Sequence, residues 1–150
     1  MEEAIIDKIN HIDWSKYSGV EYFEPKDVAK SLIDLILLND AKQAEKVGNN
    51  ILSTVGNNHA GTYYPAMIDA IDIIIYAALN AKNSVSSRCA LAILEDIYAS
   101  FEAEMGNYSS CTGTELDNLV SEKIEALLPI LQKMPQQNDL VDLIVGRKAL

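Results

Sequence analysis

Asn57-Asn58-His59-Ala60-Gly61-Thr62-Tyr63-Tyr64-Pro65 separates two helical patterns, and the segment that it opens decides the fold. Asn, Gly and Pro are turn formers, so the stretch ends one helix and starts another. From Tyr63 to Leu79 the chain is apolar almost all the way round, interrupted before Asn80 only by Asp69, Asp72 and Tyr76. A helix that is apolar on every side has to be covered on every side, so this one is expected at the centre of a stack of helices. Its three exceptions follow i, i+3, i+7 and share one narrow stripe.

Helical periodicity extends outward in both directions, and strand signals are weak. A first helix is expected from Glu2 to about Asp13, with Ile5, Ile6, Ile9 and Ile12 on one face. An aromatic loop follows, holding Trp14, Tyr17, Tyr22 and Phe23. Pro25 opens a second helix in the first turn, where its missing N–H costs nothing. The third helix, about Ala41 to Val55, carries an apolar stripe through Ala44, Val47, Gly48, Ile51 and Leu52, and Gly56 ends it. Thr62 is placed to cap the fourth helix. The fifth is expected from Val85 to Met105, the sixth from Thr114 to Lys133 with a kink or break at Pro129, and a last one from Asn138 to Val145.

At 150 residues and 49% hydrophobic content, the chain suits one domain, 1–150, with a substantial core. Two junctions repeat: Tyr22-Phe23-Glu24-Pro25 and Tyr63-Tyr64-Pro65 each place aromatics before a proline and an apolar helix. The spacing of the prolines approaches the period of HEAT and armadillo arrays, in which each helix pair buries its apolar helix against the next. The expected fold is all-α: stacked antiparallel helix pairs in a HEAT/armadillo-like α-solenoid of six to seven helices. A generic bundle is the alternative.

The net charge is −10, and residues 61–130 hold 10 acidic and 3 basic residues. That balance argues against nucleic acid and anionic membranes as partners and favours a cationic protein. The acidic N-terminus lacks the pattern of a signal peptide, and the apolar run Ile73 to Leu79 is too short to span a membrane. Cys89 and Cys111 have no metal partners at useful spacing. A reduced, cytoplasmic protein is expected.

Catalytic signatures are lacking. His59 is read as stabilising its turn by a hydrogen bond. Glu95 and Asp96 are adjacent, so on a helix they diverge by about 100° and make a poor acid–base pair. No glycine-rich phosphate loop or nucleophile context is present, and no cofactor or metal is expected. The candidate binding residues are acidic: Asp27 and Asp34 with Ser31 on the second helix, Asp69 and Asp72 with Tyr76 on the fourth, and Glu95 and Glu102 with Arg88 on the fifth. Stacking would bring the stripes of the second and fourth helices together as one acidic surface. Trp14, Tyr17, His59, Gly61, Tyr63, Tyr64 and Pro65 are assigned to architecture, and Arg88 to tying neighbouring helix pairs.

Ser86-Ser87-Arg88-Cys89-Ala90-Leu91-Ala92-Ile93-Leu94 resembles the second-helix signature of HEAT-like repeats. His59 to Ala66, with Trp14, Tyr17 and Tyr22 upstream, resembles small HEAT-like bacterial proteins, some of which are immunity proteins of polymorphic or contact-dependent growth inhibition toxins. The resemblance covers roughly residues 14–105. It implies an immunity protein that neutralises a cognate, basic toxin domain, such as a nuclease, by occlusion. A non-catalytic helical adaptor and a HEAT-like lyase are the alternatives.

Overall fold

The computed structural model describes residues 2–17, 20, 23–134 and 139–150. Tyr22 and Asn138, each assigned a place above, lie outside them. Among the described residues, seven helices of nine residues or more carry the fold: α1 (Glu2–His11), α2 (Pro25–Ile36), α3 (Ala44–Thr54), α4 (Met67–Asn80), α5 (Ser84–Ser100), α6 (Gly113–Glu125) and, after the single-turn α7 (Leu128–Leu131), α8 (Leu140–Lys148). Short 3₁₀ turns, Trp14–Tyr17 and Ala41–Gln43, precede α2 and α3.

The central helix is α4, as its composition requires. Met67, Ala70, Ile71, Ile73, Ile74 and Ala77 are fully buried on it. It packs most extensively on α5, from which three residues separate it, and it also contacts α2 and α6. In turn, α5 contacts α3 and α8. Polar ties cross these helices at buried serines: Ser86 Oγ donates to the Leu35 carbonyl of α2 at 2.6 Å, and Ser87 Oγ to the Ala78 carbonyl of α4 at 2.7 Å. Each hydroxyl is satisfied, so its burial adds order without an orphaned donor.

The all-helix expectation misses a small sheet. β1 (Gly56–Asn57) pairs antiparallel with β2 (Thr62–Tyr63), and β2 pairs parallel with β3 (Glu102–Ala103). Consequently α4 starts at Met67, four residues later than the apolar pattern implies, and Thr62 is a strand residue instead of a cap. Pro65 explains the delay, because the residue before a proline is pushed out of the helical region. The fifth helix likewise stops at Ser100, which leaves Glu102 in a strand.

Gly61 (φ +69°) turns the β1–β2 loop in a conformation that a side chain would disfavour. The Asn57 side chain, and not His59, stabilises that loop: its Oδ1 accepts from the Ala60 amide at 3.1 Å, while His59 is exposed. Gly56 is required by closeness. A Cβ there would lie 2.2 Å from the Thr62 carbonyl oxygen and 2.7 Å from Tyr63 Cα.

Pro129 does break the predicted sixth helix, and it sits in the first turn of α7. Trp14, Tyr17, Tyr63 and Tyr64 are buried, and the two proline junctions touch where Phe23 meets Tyr64 edge-on at 6.4 Å. Among the described residues, no helix is long and apolar enough to cross a membrane.

Candidate partner-binding face

The acids of α4 are engaged within the fold. Asp69 accepts from the Tyr17 hydroxyl at 2.5 Å and pairs with Lys16 at 3.0 Å. Partial burial pushes its carboxyl up, but the hydrogen bonds from Tyr17 and Lys16 and the Lys16 charge outweigh it, and the net shift is downward. The Tyr17 hydroxyl is pushed up, first by burial and then by Asp69. Asp72 pairs with Lys123 of α6 at 2.8 Å, and Tyr76 is half-buried. The stripe thus fastens α4 to the Trp14–Tyr17 turn and to α6.

The stripe of α2 looks elsewhere. Ser31, at its middle, is buried against α3, bonded to Thr54 Oγ1 at 2.9 Å. Asp27 and Asp34 line a groove with Asn50, Ser53 and Thr54 of α3, where Lys30 pairs with Asp34 at 2.9 Å. The α2 and α4 stripes therefore face different neighbours and do not merge. Nor do the three residues assigned to the fifth helix form a row. Glu95 accepts from the Asp139 amide at 3.2 Å, and its pKa is raised chiefly by burial. Glu102 is in β3, and Arg88 is exposed, with no ion pair among the described residues.

What the structure does bring together is a face built around α3. Glu45, Lys46, Asn49, Asn50 and Ser53 form its exposed arc. At about 100° per residue, the α2 groove borders one side of that arc and a second groove borders the other. The second groove lies between α3 and α5 and measures about 250 Å³. Its floor is Ala44, Gly48, Leu52, Cys89, Ala92 and Ile93, and its charged lining residues are Glu45 and Asp96. Burial raises the Asp96 pKa, and it pushes the Cys89 thiol up to about 11, so that sulfur packs as an inert apolar group. Sequence reasoning placed Ala44 and Gly48 in an apolar stripe but could not see that a groove opens beside them.

A polar cleft of about 330 Å³ lies at the sheet, between Gly61, Ser100, Glu102, Asp117, Ser121 and Arg147. Two of its charges, Asp117 and Arg147, are spent on architecture. Asp117 Oδ1 accepts from the Tyr63 hydroxyl at 2.9 Å and from the Ala103 amide at 3.1 Å. The Arg147 guanidinium lies 4.0 Å from the centre of the Tyr98 ring and donates to the Tyr98 carbonyl at 2.8 Å, which holds α8 on α5. The Tyr98 hydroxyl, raised to about 12 by burial and by its bond to Glu125, is a donor and no base. Among the described residues, no three His, Cys, Asp or Glu side chains cluster as metal ligands.

Comparisons of the chain with protein-family models, curated proteins and solved structures return no match.

Proposed function

We propose that this chain is a non-catalytic binding protein of the immunity type, which neutralises a basic protein domain by covering the surface that the domain would present to its substrate. The observation that carries the reading is the α3 face, a ridge between two grooves whose charged linings are net acidic: Asp27, Asp34 and Lys30 on one side, Glu45 and Asp96 on the other. Set in a chain of net charge −10, such a face attracts a cationic partner at long range and offers it relief for docking. The helix contacts support a HEAT-like stack of two pairs, α2 with α3 and α4 with α5, in which α2 neighbours α4 and α3 neighbours α5. In that arrangement the α3 face lies on the row of second helices. Its site of action would be the cytoplasm, where a toxin domain acts.

The test is association with the protein encoded by the neighbouring gene, measured by stopped flow across ionic strength. The rate is expected to fall as salt rises, and Asp96→Lys to slow it further. Asp72→Lys, an equal change of charge placed away from the α3 face and disturbing the pair with Lys123, is expected to slow it less than Asp96→Lys. A rate flat in salt, or no complex, refutes the proposal.

A further inference from the structure

We propose that the groove between α3 and α5 is an anchor pocket for a single lysine or arginine side chain of the partner, with its methylenes on the apolar floor and its charged head at the acidic rim. This rests on the reading above for the nature of the partner and specifies how it is held. The groove combines two properties that only a long cationic side chain matches: an aliphatic floor around Gly48 and Ala92, and a charged lining made of Glu45 and Asp96, with no base among its lining residues. A neutral apolar side chain would leave both acids unanswered, and an anionic one would be repelled.

Two further observations bear on the occupant. Gly48 is interior to α3, and its φ is not positive. A Cβ there would meet Cys89 Sγ and Ile93 Cγ1 at 3.8 Å, which is ordinary contact. Neither backbone conformation nor packing demands glycine, and glycine weakens a helix. Its effect is to keep the middle of the groove open, the kind of stability cost that functional sites retain. Asp96, meanwhile, stands exposed at the rim and has no ion pair among the described residues. An incoming cation would pair with a carboxylate that no described cation neutralises.

The experiment titrates the isotope-labelled full chain with n-butylammonium and n-butylguanidinium, and in parallel with n-butanol and n-butyrate, at low salt, followed by amide chemical shifts. Both cations are expected to move Gly48, Asn49, Ala92 and Ile93 saturably. Their affinity should exceed that of n-butanol by roughly three- to fivefold, the range of an exposed ion pair, with n-butyrate silent. Glu45→Gln with Asp96→Asn should bring the cations down to n-butanol, and Gly48→Leu should abolish the response. The double carboxylate variant keeps the test decisive if Gly48→Leu does not fold. Equal response to n-butanol and the cations, or shifts centred elsewhere, overturns the anchor. These probes report on the groove with no partner present. A silent groove beside a tight, salt-dependent complex overturns the anchor and leaves the immunity reading standing. A responsive groove with no complex supports the pocket and overturns that reading.

Discussion

Replacing Gly48 with alanine is expected to make this protein more stable. The residue lies inside α3, four positions from its first residue and six from its last. Its backbone is not in the left-handed region, so alanine adopts it without strain. The new methyl would approach Cys89 Sγ and Ile93 Cγ1 at 3.8 Å each, and neither has to move. What remains is the intrinsic difference between the two residues in a helix interior, about 0.8–1 kcal/mol in favour of alanine, chiefly through the entropy that glycine loses on folding. For a chain of this size that gain corresponds to a rise in Tm of roughly 2–4 °C. Thermal melts followed by circular dichroism, together with urea titrations on both proteins, measure it. An unchanged or lower Tm would refute the reasoning, because it would mean that α5 presses on Gly48 and that no groove is open there.

Gly56→Ala is expected to act in the opposite direction, since its Cβ meets strand backbone; about 1–3 kcal/mol should be lost, read from the shift in urea midpoint. Asp117→Ala leaves the Tyr63 hydroxyl and the Ala103 amide without their acceptor and should cost about 1–3 kcal/mol by the same measurement, whereas Asp117→Asn, which retains an acceptor oxygen, should cost less. Asp69 predicts the acid limb. Its folded pKa lies below the ordinary value, so its contribution is fully present above the unfolded carboxylate range and is lost as pH falls toward and through the lower folded value. Stability measured from pH 6 down to pH 2 should therefore fall less steeply in Asp69→Asn than in the parent, and parallel curves would remove Asp69 from the account.

The central helix, the break at Pro129 and the buried aromatics were legible because each depends on local pattern. Ile71, Ile73 and Ile74 cannot all be buried unless α4 is surrounded, and Pro129 cannot continue a helix whose amide it lacks. The sheet was illegible for the opposite reason. Its strands are two residues each, too short to show alternation, and β3 meets β2 from forty positions away. The candidate site was legible only as a pattern of acids. Asp69 and Asp72 look like a functional stripe on an apolar helix, but Lys16 and Lys123 arrive from distant segments and take them up.

Periodicity and composition carried the helical class, the position of α4 in the core and the acidic character of the surface, since burial demand and net charge are properties of residues along the chain. Which acids are paired within the fold was settled by packing. Ion pairs and grooves form between residues far apart in sequence, and one residue's spacing to its neighbours holds no record of what folds against it. The stretch from Asn57 to Pro65 shows both sides: its turn was evident from Gly61 and Pro65, while the strand through Thr62 and Tyr63 is held between β1, close in sequence, and β3, which comes from far along the chain.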